Sequence, residues 1–286
     1  MKKFINKRGS GLLILFLIFL ILLTCLFIIE QIKKKPYPEK IVTEKKIIAP
    51  EKKEISYEGT SSKKGKIAII LDDVGWNPDI TVHIKRIQVP LTLAILPDSP
   101  FGLRIAKNLS GKQNIELLLH IPLEPERTDS DTSISGSFLT VSMDDDEIKN
   151  RIDEYFEKFG PYIVGINNHM GSKFTQNQEK MDLLLKEIKE KKLIYVDSLT
   201  TQKSIGYSEA KKIGVRSIKR DIFLDNSSEP EEIVQGLLMA GKIAKKKGSA
   251  VAIGHARANT LKVLEEKIPE MLKEGYSFVS ITQITR

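Results

Sequence analysis

The chain has 286 residues, 41% hydrophobic and 29% charged, which suits a folded domain with an appendage and excludes collagen-like or wholly disordered chains. Its formal charge of +8 lies entirely in residues 1–64, with 14 Lys/Arg against 6 Asp/Glu; residues 65–286 carry 31 of each. A neutral globular part has no electrostatic footprint for phosphate, so nucleic acid is excluded as a partner.

Residues 1–10 form a short basic N-terminus containing Lys2, Lys3, Lys7 and Arg8. Residues 11–29, GLLILFLIFLILLTCLFII, contain no charge and no proline. At about 1.5 Å per residue a helix of this length spans nearly the hydrocarbon core of a bilayer. The preceding cations place the N-terminus in the cytoplasm and the rest of the chain outside it, at the periplasmic or extracellular face. A cleaved signal peptide would have a shorter apolar region and small residues at its cleavage site. A lipoprotein reading would use LLTC, but Thr24 is a poor residue before the cysteine and the apolar run continues to Ile29. An uncleaved transmembrane anchor fits better than either. Cys25, the only cysteine, lies in this run, so there is no internal disulfide framework. Residues 30–64, rich in Lys, Glu and Pro, read as a flexible charged linker reaching roughly 30 Å.

From residue 65 onward, short β-branched runs alternate with amphipathic stretches. Strands are expected at Lys66–Leu71, Leu91–Leu96, Ile115–His120, Ile163–Asn167, Leu193–Val196, Ser217–Phe223, Ala250–Gly254 and Ser277–Ile281. Helices are expected at Phe101–Leu109, Asp144–Phe159, Gln178–Lys191, Lys203–Ile213, Glu229–Lys247 and Leu261–Lys273. Near-continuous apolar strands suit a parallel sheet covered by helices, either a (β/α) barrel or a doubly wound α/β sheet. LDDVGWN stands where a dinucleotide-binding fold would carry its glycine-rich turn. Thr128–Thr140, rich in Ser, Thr and Asp, reads as a long loop that can cover a site. Asp144–Glu147 reads as a helix N-terminus.

Polar residues gather where these strands end, which is where a (β/α) barrel keeps its chemistry. Asp72 and Asp73 end the first strand, and Asp98 follows the second. His120 ends the third, with Glu124 beyond it; Asn167, Asn168 and His169 end the fourth; Asp197 and Ser198 end the fifth. Asp221 and Asp225 lie on or beside the sixth strand, and His255 ends the seventh. His83 falls in a helix and reads as a surface residue. One carboxylate and two imidazoles make a divalent-metal face with open positions, and a second carboxylate beside it can take a proton from water. Taken alone, the Asp72–Asp73 pair reads equally as a turn or a helix cap. Asn167 and Asn168 read as orienting groups, as donors to a developing oxyanion, or as turn residues. Ser172 and Ser198 lack the G-x-S-x-G elbow of a serine nucleophile. Trp76 can stack on a sugar ring or close the top of the barrel.

LDDVGWN, LLLHIPLEP, INNHMGS, the Asp197–Ser198 pair and AIGHA occur in this order. Together they resemble the divergent polysaccharide deacetylase family, a branch of the NodB-like carbohydrate esterases, over residues 65–286. The resemblance implies a distorted (β/α) barrel of seven or eight strands. It also implies a divalent metal cofactor, zinc by family usage, and removal of acetyl groups from an N-acetylated polysaccharide of the cell envelope. By the same resemblance Asp72 is the general base, Asp73 a metal ligand, and His255 the acid that protonates the leaving amine. His169 has no second histidine nearby, so His120 is its expected metal partner. Asn168, Trp76, Glu124, Asp197, Ser198 and Arg220 are the expected substrate-binding or orienting residues, and Arg257 shares with Arg220 the candidacy for the family's arginine. The alternative is a deacetylase-fold protein without activity that binds glycan or a cell-envelope partner.

Overall fold

The computed structural model describes Thr24 and residues 64–112, 114–127 and 137–285. The expected anchor (11–29) apart from Thr24, nearly all of the linker (30–64) and residues 128–136 of the expected cover loop lie outside the described residues. Among the described residues no helix is long and apolar enough to cross a membrane. The fold below belongs to the compact unit Glu58–Arg286.

Strand and helix alternate along the chain. The strands are β1 (Gly65–Val74), β2 (Leu91–Ile95), β3 (Ile115–Leu123), β4 (Gly165–Met170), β5 (Ile194–Asp197), β6 (Ser217–Lys219), β7 (Ile222–Phe223), β8 (Ser249–His255) and β9 (Tyr276–Phe278). The helices are α1 (Ile80–Ile84), α2 (Gly102–Leu109), α3 (Asp145–Phe159), α4 (Gln178–Glu190), α5 (Gly206–Ile213), α6 (Pro230–Lys247) and α7 (Ala258–Lys273). Local chemistry explains their bounds. In α6, Pro230 opens the helix and Glu231 and Glu232 occupy its first turn; Lys245–Lys247 fill its last turn and left-handed Gly248 stops it. Asp144 caps α3 by accepting from the Glu147 N–H, as its acidic run implied.

All strand pairs are parallel, in the order β6-β5-β4-β3-β2-β1-β8-β7, with β9 beside the start of β1. β8 occupies one edge of β1 from Lys66 to Asp72; β9 and β2 divide the other edge between them. The strands at the two ends of the order, β6 and β7, are neighbours in sequence. The Arg220 N–H donates to Asp197 O beside β5, and the Asp221 N–H donates to Val251 O of β8. Consecutive Cα atoms are only about 3.8 Å apart, so the sheet has to curl until its ends nearly meet. The result is an α/β half-barrel, with the remaining gap bridged by covalent chain. The sequence run Ser217–Phe223, expected as one strand, is therefore two strands broken at this seam. The expected strand Ser277–Ile281 is likewise shortened to β9, and the chain continues as a 3₁₀ turn, Ile281–Gln283.

The curl separates two apolar layers. The outer layer joins the sheet to the helices, and one apolar cluster holds Ile67, Ile69 and Leu71 of β1 together with helix residues such as Ile152, Leu184 and Leu237. The inner layer contains Ala68, Ile70, Ala94, Leu118, Ile194, Val196, Val251 and Ile253, with Ile281 at its base. Glu116 fixes that base by accepting from the Thr282 N–H and hydroxyl. Successive strand residues point to opposite faces. Counting in twos from the inner apolar residues therefore predicts which side chains face the upper end of the barrel.

Candidate metal centre and catalytic cleft

That count leads from Ile70 to Asp72, from Leu118 to His120, from Val196 to Ser198 and from Ile253 to His255. On β4, Ile166 belongs to the outer layer, so Asn167 and His169 face inward. All but Asn167, which is buried beneath them, line a cleft of ≈ 340 Å³ whose wall includes Phe223 and Arg257. Its size is at the small end of ligand pockets.

Asp73 breaks the alternation. It should face the helices, but its φ of 59° puts it in the left-handed region, where the strand register slips between Leu71 and Val74. Asp is among the residues that tolerate this conformation, at a cost of order 1–3 kcal/mol. The turn brings Asp73 to the same cleft as Asp72. Met170 (φ 52°) makes a similar turn at the end of β4, and Leu199 (φ 49°) another just beyond β5. Hydrogen bonds hold both: Asn168 donates to Met170 O and accepts from the Ser198 N–H, while Arg220 donates to Ser198 O and Leu199 O.

Asp73 Oδ1, His120 Nε2 and His169 Nδ1 converge. Asp73 Oδ1 stands 3.4 Å from His120 Nε2 and 3.0 Å from His169 Nδ1, and the two imidazole nitrogens are 3.1 Å apart. Ligand atoms about 2.0–2.1 Å from a tetrahedral zinc stand roughly 3.3 Å from one another, close to this triangle. Asp73 Oδ1 is buried without a hydrogen-bond partner, so its lone pairs point into the triangle unused. The donor set and its spacing therefore fit a divalent metal; this is the Asp/His/His group found among the described residues. Phe138 stacks on His169, with ring centroids 6.5 Å apart.

The two aspartates are pushed in opposite directions. Burial raises the Asp72 carboxyl above its ordinary range, against the pull of His120 and Asn167. Burial also acts on Asp73, but His120 and His169 outweigh it and hold that carboxyl well below its ordinary range. Burial lowers His120, but its two aspartate neighbours prevail and raise it. Neighbouring carboxylates separated in this way are characteristic of acid–base sites.

Across the cleft, His255 Nε2 lies 3.8 Å from Asp73 Oδ2. Its Nδ1–H donates to Asp225 Oδ1 at 2.9 Å, and its backbone N–H donates to Asp225 Oδ2 at 2.7 Å. The Thr260 hydroxyl also donates to Asp225 Oδ2, at 2.6 Å. Burial alone would lower His255, but Asp225 raises it; the same contacts hold Asp225 low despite its own burial. Phe223 stacks on His255, and the Arg220 guanidinium covers the other ring system 3.7 Å from the Phe223 centroid.

Asp72, Asp73, His120, His169, His255, Asn168 and Ser198 thus share one cleft. Glu124 lies outside its wall, accepting from Lys173 Nζ and the Val141 N–H. Asp197, by strand parity, faces the helices; it accepts from the Leu199 and Tyr207 N–H groups and the Ser204 hydroxyl, organising the start of α5. Arg220 braces the turn after β5, and Trp76 is 45% exposed beyond the cleft wall. His83 pairs with Glu265 on the surface side of α1. Asp225 received no role from the sequence, although it carries the principal contacts of His255; its place at a strand end was the available signal. Phe138 and Phe223 gave none.

A family model described as divergent polysaccharide deacetylase matches residues 69–285. An uncharacterized protein of Haemophilus influenzae is 35% identical over 210 residues, covering 73% of each chain. The uncharacterized protein YibQ of Escherichia coli K12 is 33% identical over 204 residues; the match covers 71% of this chain and 62% of YibQ, less than two thirds of its length. Among solved structures, an uncharacterized protein from Agrobacterium tumefaciens C58 shares the fold, with a TM-score of 0.72 at 20% identity over 79% of this chain and 91% of the other.

Proposed function

Because this chain belongs to the divergent polysaccharide deacetylase family, we propose that it is a metal-dependent hydrolase that removes acetyl groups from an N-acetylated glycan of the cell envelope. The observation that supports this reading is a metal-ligand triangle flanked by two groups suited to opposite tasks, Asp72 and the His255–Asp225 pair. Asp73, His120 and His169 would hold the ion, a divalent metal, with zinc favoured by family usage. When bound, such an ion polarises a carbonyl and lowers the pKa of a water molecule to about 7.

The protein's own residues account for the proton transfers. Asp72 Oδ1 is occupied by the Asn167 amide, so Oδ2, 3.6 Å from His120 Nε2, takes the proton of the attacking water. The remaining hydroxide adds to the acetyl carbon. Protonated His255, its Nδ1–H secured by Asp225, gives the Nε2 proton to the departing nitrogen as the carbon–nitrogen bond breaks. The products are acetate and a free amine, and solvent resets the two protonation states. We assign residues 11–29 as an uncleaved anchor and place the domain outside the cytoplasm, both on the apolar run and its basic flank.

The test compares the purified full-length protein with Asp73→Ala, His169→Ala and Asp72→Asn. The parent should carry close to one metal ion per chain and release acetate from acetylated envelope-glycan fragments. Asp73→Ala and His169→Ala should lose the metal; Asp72→Asn should keep it and lose turnover. A parent that binds no divalent ion after reconstitution would refute the hydrolase and leave a non-catalytic glycan-binding protein.

A further inference from the structure

We propose that Asn167 is a positioning residue whose single amide fixes His120 as an Nε2 ligand and Asp72 as a base with one free oxygen. The inference rests on the metal-dependent reading of this cleft. Asn167 is fully buried on β4, in register with His120 on β3. An ionised carboxylate only accepts hydrogen bonds, so the amide group 2.8 Å from Asp72 Oδ1 is the NH₂. The same nitrogen reaches Ser198 Oγ at 3.2 Å, which engages its second hydrogen.

With both amide hydrogens engaged, Asn167 Oδ1 can only accept, and it lies 2.9 Å from His120 Nδ1. The proton of His120 is therefore on Nδ1, and the Nε2 lone pair faces the triangle. A neutral imidazole otherwise has both tautomers open to it. At Asp72 the amide occupies Oδ1 and leaves Oδ2 beside the ligand face. The Ser198 N–H donates to Asn168 Oδ1, so this third contact of the Asn167 amide is itself held in place. One buried amide thus links the metal ligand to the base without touching substrate, and it carries no charge to compete with either.

The experiment uses the full-length protein labelled with ¹⁵N-histidine; with only four histidines, substitution assigns each signal. In the zinc-loaded parent, His120 should be ligated through Nε2, with a protected Nδ1–H proton. Asn167→Asp keeps the acceptor for that proton but sets a second carboxyl, competing for a proton, against Asp72 in place of the neutral donor. Its zinc affinity should stay within about threefold of the parent, while acetate turnover falls roughly 100-fold with KM little changed. Asn167→Ala loses both contacts and should weaken zinc binding about 10–100-fold as well. Ligation of His120 through Nδ1, parent zinc affinity in Asn167→Ala, or parent turnover in Asn167→Asp would overturn the proposal. If the variants do not fold, the parent spectrum decides. If the parent binds no zinc, the function reading fails separately, and the His120 tautomer in metal-free protein at alkaline pH decides this one: Nδ1–H supports it and Nε2–H refutes it.

Discussion

Replacing Asp225 with Asn should separate acid catalysis from every other task of the cleft. Two donors, the His255 N–H and the Thr260 hydroxyl, aim at Asp225 Oδ2, so the amide oxygen of Asn will occupy that position. The NH₂ then takes the place of Oδ1 and points at His255 Nδ1, which lies 2.9 Å away. Two donors cannot share that contact. His255 is forced into the neutral form with its proton on Nε2, a far weaker acid than the imidazolium. Loss of a positioned general acid costs roughly 10²–10⁴ in rate. At 1.36 kcal/mol per factor of ten this is about 3–5 kcal/mol of barrier. The assay compares an N-acetyl glycan, whose amine must be protonated to leave, with a 4-nitrophenyl acetyl ester, whose leaving group needs no proton. Asp225→Asn should lose the first activity by that factor and retain most of the second. Metal content should not change, because Asp225 touches none of the three ligand residues. Equal losses on both substrates, or a parent rate on the amide, would refute the roles given to His255 and Asp225.

Ile70→Ala removes a fully buried side chain of the inner layer and should destabilise the domain by about 2–5 kcal/mol, read from the midpoint of urea unfolding. Glu124→Ala breaks two hydrogen bonds that join the end of β3 to Val141 and Lys173. It should cost roughly 1–3 kcal/mol in the same experiment while leaving zinc affinity at the parent value. Asp197→Ala leaves a partly buried serine hydroxyl and two backbone N–H groups without their acceptor. It should lower thermal stability more than Glu124→Ala, and any metal it loses should return when the fold is stabilised by low temperature.

Much of this fold was legible because a buried parallel strand announces itself as a short apolar run. Lys66–Leu71, Ile115–His120 and Ala250–Gly254 all read this way, and each ends at or just before a residue that the structure brings to the cleft, Asp72, His120 and His255. What a strand end does not reveal is direction. Asp197 and Ser198 look like one polar pair, yet strand parity turns the first toward a helix and the second into the cleft. Asp73 is the reverse case: parity turns it outward and a left-handed backbone brings it back, a choice made by the surrounding fold. Asp225 escaped assignment because the run Ser217–Phe223 was read as one strand, which left Asp225 beyond it with no evident partner. The charged triplet Lys219–Asp221 is the one local mark of the break, where the chain changes partners from β5 to β8. The aromatic neighbours Phe138 and Phe223 owe their places to contacts between distant segments, which a linear reading does not encode.

The central position of β1 sets an order of events for folding. The first strand to be synthesised is flanked along its length by β8, and the start of its other edge is held by β9, both from the end of the domain. Through most of synthesis β1 therefore has only β2 to lean on, at its far end. The pairing that completes it also sets Asp72 opposite His255. The two residues assigned to move protons thus meet only when the last quarter of the chain is present. A chain that stops before β8 has no partner for Asp72 on that edge and no His255 opposite it. On the proposed mechanism, closure of the sheet and the meeting of base and acid are one step.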